Sequence, residues 1–343
     1  MIRILILLLT LLPVGTTAQE ATATFGTGGS TLLLRSTTDL SIIRPVMERF
    51  TERNPDIRVS YEQWGSNALF EASRNACEGE GVSADAIFTS AVHQALFLVN
   101  AACARPYRSA LTTALPEARR WRDELWGISE EPAVIVYNSD ALEGDRVPRS
   151  RFELLDLMRR QPEALRGRIA TYDIEASGLG YLFAHADSLE ASTFGAMLEA
   201  LARMDAIATC CSAEIIDGVA SGRYHIAYNV LGSYAAQRAG RHIGVILPED
   251  YTLVLSRAYL IPKQAGNAPA AERLLDFLLG AEAQTMLADI GLVMSVDPSE
   301  TGLLPSARRL IPLSPPLLRA LDGSTRARMF HLWANAFERD GGG

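Results

Sequence analysis

The stretch "TLLLRSTTDLSIIRPVMERFTERNPDIRVSYEQW", residues 31–64, carries three structural signals in succession. Its apolar run Leu32–Leu34 drops into polar residues at Arg35, Ser36, Thr37 and Thr38, as a buried strand does on leaving a core. Ile42, Ile43, Val46, Met47 and Phe50 then fall on one helical face, with Ser41 placed to cap it and Pro45 early enough to be tolerated. Ile57, Val59 and Tyr61 alternate next, the period of a half-buried strand. The chain continues with a short buried strand in "SADAIFTS" (83–90) and a helix in "AVHQALFLVNAA" (91–102). This βαβ rhythm predicts a largely parallel sheet flanked by helices, whose ligands gather at the carboxyl ends of the strands.

A second set of elements follows. "WGISEEPAVIVYNSDAL" (126–142) runs extended, "SRFELLDLMRR" (150–160) is helical, and "GRIATYD" (167–173) is a strand. "IEASGLGYLFAHA" (174–186) is a Gly-rich turn feeding a helix, and "YHIAYNV" (224–230) is a strand that ends at "LGSYAAQR". The extended segment "IGVILPEDYTLVLSRAYLIPK" (243–263) leads back to two amphipathic helices in "NAPAAERLLDFLLGAEAQTMLADIG" (267–291). Two extended crossings, near 130–138 and 250–260, predict a hinged pair of α/β lobes with a cleft between them. The expected division is a flexible N-terminus over 19–30, lobe one over 31–133 and 257–340, and lobe two over 134–256. The "GGG" at 341–343 reads as a flexible end.

The chain opens with Arg3, an apolar run from Ile4 to Val14 broken by Thr10, and a small-x-small site ending at Ala18. That pattern predicts a secretory signal peptide over 1–18, too short to span a bilayer, and a periplasmic product. The formal net charge of −8 excludes the basic excess that would neutralise nucleic-acid phosphates or an anionic membrane. Lys263 is the only lysine among 32 basic side chains, so any anion clamp would be arginine. Of the four cysteines, Cys77 and Cys103 fall in one lobe and form the preferred disulfide of an oxidising compartment. Cys210 and Cys211 are neighbours, whose bonding would need an eight-membered ring, and their redox state stays open. With histidines scattered at 93, 185, 225, 242 and 331, no metal site is expected.

The strand ends supply "RSTTD" (35–39), "WGSN" (64–67) and "TSA" (89–91), rich in hydroxyls and small residues. An oxyanion needs donors, and the candidates are the hydroxyls of Ser36, Thr37, Ser66, Ser90, Ser177 and Ser233 with backbone N–H groups at Gly178 and Gly232. Asn67 joins this set. Arg35 or Arg257 could add a bidentate clamp, while Asp39 and Glu130 could receive ligand hydroxyls.

In the order and spacing of "PVMERFTERNPDIRVSYEQ", "SADAIFTSA", "ARPYRSA", "WGISEEPAVIVYNSDAL", "GRIATYD", "SGLGYLF" and the 267–291 segment, the chain resembles the type II periplasmic solute-binding proteins of ABC transporters. The resemblance falls in the branch that includes ferric-ion binding proteins, and it implies a monomeric binding protein that delivers a small solute to a permease. In the ferric-binding members two adjacent tyrosines hold the iron at the turn matched here by Ser233 and Tyr234. Only Tyr234 is a phenol, so "YNVLGSYA" looks more like the members that take phosphorylated small molecules or related organic anions. A ferric role through Tyr234 is the alternative, as is a sensing module for a membrane histidine kinase. An enzyme is not expected: "LGSYA" has glycine on one side only of its serine, and HExxH, P-loop and GxGxxG motifs do not occur. No cofactor is expected.

Overall fold

The structure, a computed structural model, describes residues 19–236, 238, 242–294 and 303–337. The signal segment 1–18 and the glycines 341–343 lie outside the described residues. The first sheet begins with β1 (Gln19–Phe25) and β2 (Ser30–Ser36), followed by α1 (Leu40–Arg53), β3 (Ile57–Trp64), α2 (Ser66–Cys77), β4 (Ala86–Thr89) and α3 (Val92–Asn100). After α4 (Ala110–Ala114), two short strands complete this stretch, β5 (Arg120–Trp121) and β6 (Leu125–Gly127). Helix α1 buries the periodic set Ile42, Ile43, Val46, Met47 and Phe50, so the pattern that names the helix also docks it.

The chain enters the second sheet with β7 (Glu131–Asn138) and continues through α5 (Arg151–Arg160), α6 (Pro162–Leu165), β8 (Ile169–Tyr172), α7 (Gly178–Glu190) and α8 (Phe194–Arg203). Then come β9 (Ile207–Thr209), α9 (Ser212–Ala220), β10 (Ile226–Leu231), α10 (Gly232–Ala236), β11 (Ile243–Ile246) and β12 (Thr252–Leu255). It returns to the first sheet at β13 (Ala258–Leu260), forms α11 (Ala268–Leu279) and α12 (Ala281–Asp289), and ends with β14 (Arg308–Leu310) and α13 (Gly323–Phe337).

The sheet orders are β1-β3-β2-β4-β13-β6-β5 and β14-β12-β7-β10-β8-β9, with β11 added on β7. Each has a parallel core, β3-β2-β4 in one and β10-β8-β9 in the other. The strands beside the crossings, β13 and β7, pair antiparallel with their neighbours, so both sheets are mixed.

Two expectations differ from what the structure shows. The N-terminal residues 19–25 are ordered as an edge strand, paired antiparallel with β3 from Phe25↔Val59 to Gln19↔Trp64. Their alternation of buried and exposed side chains is the strand period that the neighbouring glycines masked. The C-terminal segment assigned to lobe one leaves it: β14 pairs parallel with β12, and Met329 and Trp333 of α13 pack with Ile174, Tyr181 and Leu198 of lobe two. The chain therefore passes between sheets a third time, beyond α12. Cys77 and Cys103 are bonded as expected, and Cys210 and Cys211 are bonded as well.

The first two crossings lie side by side. Val254 and Leu255 pair with Pro132 and Glu131, and the Ile128 N–H donates to the Arg257 carbonyl at 2.9 Å. Between them sits a fully buried ion pair, with Arg257 Nε and Nη2 donating to Glu131 Oε1 and Oε2 at 3.0 and 2.9 Å. Removing one partner of such a pair leaves a buried charge uncompensated, at a typical cost of about 3–5 kcal/mol. Arg257→Met should therefore lower unfolding free energy by about that amount in urea titrations, and adding Glu131→Gln should restore part of it. A double variant no more stable than Arg257→Met would show that the buried charge is not what the fold resists.

Candidate solute-binding cleft

Between the sheets lies a cavity of about 130 Å³, lined from lobe one by Thr37, Asp39, Ser66 and Ser90 and from lobe two by Tyr172, Ser177, Ser212 and Tyr234. These residues lie at or after the carboxyl ends of β2, β3, β4, β8, β9 and β10 or in the helices that follow them. Four helix N-termini meet here: α1 after Asp39, α2 after Gly65, α7 after Ser177 and α9 after Cys211. Each leaves backbone N–H groups without intrahelical partners and carries the positive end of its dipole. Among the described residues, the charged side chains that line the cavity are Asp39 and Glu20, both acidic.

Asp39 precedes α1 but makes no side-chain cap, and its carboxylate instead accepts from the Tyr234 hydroxyl across the cleft at 2.9 Å. Burial pushes its pKa upward, against the opposing pull of the Tyr234 hydrogen bond and the Arg257 charge. The Tyr234 phenol is pushed well above its ordinary value, by burial first and then by the Asp39 charge, so it stays protonated. Tyr172, whose hydroxyl shares a 2.5 Å hydrogen bond with Ser212 Oγ, is pushed up to about 12 by burial.

The two walls also touch directly. The Gly178 N–H donates to Ser66 Oγ at 2.9 Å, and Asn67 Nδ2 donates to the carbonyls of Glu175 and Ala176 at 2.8 and 3.1 Å. Gln94 Nε2 holds the Asn67 amide from below at 2.8 Å. A Cβ on Gly178 would stand 2.6 Å from that same Gln94 nitrogen, so a larger residue there would push the Gln94 amide off its place beside Asn67.

Of the residues read from sequence, Thr37, Asp39, Ser66, Ser90, Ser177 and Tyr234 line the cavity. Asn67 and Gly178 form the inter-lobe contact at its edge. The others have their polar groups engaged elsewhere. Arg35 donates from Nε to Glu62 at 2.8 Å and lies over the Trp64 ring. Ser36 Oγ, fully buried, accepts from the Thr38 N–H. Ser233 donates to Glu131 Oε2 at 2.6 Å, and Gly232 is buried against Pro132 and Val134. The two clamp arginines are thus both neutralised by glutamates, because a guanidinium at the base of a sheet needs a partner more than a ligand can supply one. Glu130 bonds Arg119 and Arg308 in a separate cavity with Val254 and Leu310.

Sequence reading missed Tyr172, Ser212, Cys210 and Cys211. Tyr172 ends "GRIATY" and obeys the strand-end rule that found the others. Strand β9 is three residues long, too short to show a period, so the loop after it carried no signal. Among the described residues no group of three or more His, Cys, Asp or Glu side chains is placed to hold a metal ion.

A hydroxyl-rich cleft at facing strand ends, spanned by adjacent crossings, defines a two-lobed binding protein of the type II periplasmic architecture. The bacterial extracellular solute-binding family matches residues 83–314, and the chain belongs to it. Over 92% of this chain and 98% of the other, it is 31% identical to the substrate-binding protein of an ABC transporter from Agrobacterium tumefaciens, with a TM-score of 0.85. The fold is shared at 14% identity with AfuA from Actinobacillus pleuropneumoniae, solved with fructose-6-phosphate bound, over 91% of this chain and 100% of that one (TM-score 0.70). It is also shared at 17% identity with a ferric binding protein from Campylobacter jejuni, over 89% and 99% (TM-score 0.68). No curated protein matches the chain.

The raised pKa of Asp39 has a testable sign. Its folded value lies above the unfolded value near 3.8, so the carboxylate costs stability above the raised pKa and the cost fades as pH falls. Asp39→Asn keeps an acceptor for Tyr234 and removes the charge. Its melting temperature should exceed that of the parent at pH 7 and converge with it below about pH 4; a gap that persists at low pH would rule out the buried charge as its cause.

Proposed function

We propose that this chain captures a small organic anion in the cleft by closure of its two lobes in the periplasm and delivers it to the permease of an ABC transporter. The observation that carries this reading is the convergence of four helix N-termini and a set of hydroxyls on one cavity. Such N-termini favour anions without any basic side chain. Asp39 serves as acceptor for a hydroxyl of the solute, which gives the site one point of rejection for a bare polyanion. The hydrogen bonds from Gly178 to Ser66 and from Asn67 to Glu175 and Ala176 are the latch of the closed form. In this reading the hinge comprises the paired crossings at 128–132 and 254–258, and lobe two gains the C-terminal segment. The likeness to an ABC-transporter substrate-binding protein and to a sugar-phosphate-bound structure supports both the role and the ligand class.

Tyr234 favours the anionic over the ferric reading, because its phenol is protonated and bonded to Asp39 and its neighbour is Ser233. A hundredfold excess of solute over its dissociation constant stabilises the folded state by about 2.7 kcal/mol. A thermal-shift panel of phosphate esters, carboxylates, neutral sugars and amino acids should therefore give its largest shift with an organic anion. Shifts confined to neutral compounds would overturn the proposal. An intense visible band with Fe(III), lost in Tyr234→Phe, would replace it with iron binding.

A further inference from the structure

The lobe-two wall of the cleft carries two kinds of surface. Beside the hydroxyls of Tyr172, Ser177, Ser212 and Tyr234, it brings an apolar strip of Leu179, Ala213, Leu231 and the bonded pair Cys210–Cys211. A disulfide has no hydrogen to donate and no charge to titrate. Two sulfurs joined between adjacent residues present a rigid, polarisable surface. Cys211 occupies the N-cap position of α9, yet its side chain makes no cap bond, so the sulfur does not serve the helix. Cys210 is exposed and Cys211 half-buried, while Glu214, 4.0 Å from Cys210 Sγ, is held by Thr209. The sulfurs are therefore neither sealed in the core nor committed to a structural hydrogen bond, and they stand in the cavity wall.

We infer that the Cys210–Cys211 disulfide is a solute-contacting wall, which packs against the C–H face of an organic anion whose charged group lies among the helix N-termini. This inference rests on the anionic reading above and narrows it. The substrate class becomes a compact phosphate ester or carboxylate with a carbon skeleton, and inorganic phosphate is a poor ligand. A dry cavity of roughly 150 Å³ admits benzene, so the 130 Å³ here limits the enclosed part of the solute to about that size, an anionic group with the few skeleton atoms next to it.

The test titrates the mature protein calorimetrically with glycerol 3-phosphate, glycerate and inorganic phosphate, after peptide mapping without reduction. Mapping should show Cys210 bonded to Cys211, and at least one organic probe should bind about tenfold or more tighter than phosphate, the equivalent of two buried methylenes. In Cys210→Ala/Cys211→Ala the bound organic probe should weaken roughly fivefold while phosphate changes less than about twofold. The pair Cys210→Ser/Cys211→Ser, which restores polar bulk without the sulfur surface, should show the same loss and guards against a packing defect in the alanine variant. Free thiols at 210 and 211 would overturn the inference, as would an equal loss for all probes, which would make the disulfide only a prop for α9. So would unchanged binding in both variants. If none of the three probes binds the unaltered protein, the inference falls together with the anionic reading; if the organic probes bind it and the variants do not discriminate, the inference alone falls.

Discussion

The Arg257–Glu131 pair is the constraint around which the two lobes are arranged. Its guanidinium reaches Thr38 Oγ1 at the end of β2, and its carboxylate accepts from Ser129 in the first crossing and Ser233 at the start of α10. One fully buried group of charges thus ties a lobe-one strand end, both crossings and the lobe-two turn that carries Tyr234. Burying two charges is costly, and a matched apolar pair would often serve stability as well. What the pair supplies is direction: its five donors and carboxylate oxygens accept only partners at fixed angles, so the strand ends cannot slide relative to one another without leaving a charge unpaired.

Fixed strand ends fix the helices that follow them. Thr37 and Ser90 hydrogen-bond each other at 3.1 Å, which sets the β2 and β4 loops beside one another, and Ser177 caps α7 by accepting from the Gly180 N–H. Ser90 and the N-terminus of α7 are thereby presented to the same volume. Asp39 works against this positive field and pays no structural role as a helix cap, an expense of the kind found where function and stability diverge.

Much of the fold was legible in sequence because its signals are local. The helical spacing from Ile42 to Phe50 and the alternation from Ile57 to Tyr61 need no partner to be read, and both elements formed there. The path of the C-terminal segment was not legible, since β14 is three residues long and takes its place from pairing with β12. Residue type and strand-end position pick out Thr37, Ser66, Ser90, Ser177 and Tyr234, which line the cavity. Ser36, Arg35 and Ser233 meet the same rule but turn to partners within the fold, because a strand end has two sides and only one faces the cleft. Sequence alternation at β2 puts Arg35 beside Glu62 of β3, a pairing visible only once the register Arg35↔Glu62 is known.

On the anionic reading proposed above, the fate of the arginines explains how the cleft favours an anion with none of the described arginines lining it. Arg35, Arg119, Arg151 and Arg257 are each held by a carboxylate within the fold, at Glu62, Glu130, Asp187 and Glu131. A free guanidinium in the cavity would bind almost any oxyanion, since its charge acts at any distance the solvent permits. Helix N-termini act only within the first turn, and their N–H groups must be met at hydrogen-bond distance. An attractive field of that short range, opposed by the buried carboxylate of Asp39, rewards shape over charge. On the proposed reading, the solute places an anionic group among the N–H donors and offers a hydroxyl to Asp39, a requirement that a bare inorganic ion meets at one end only.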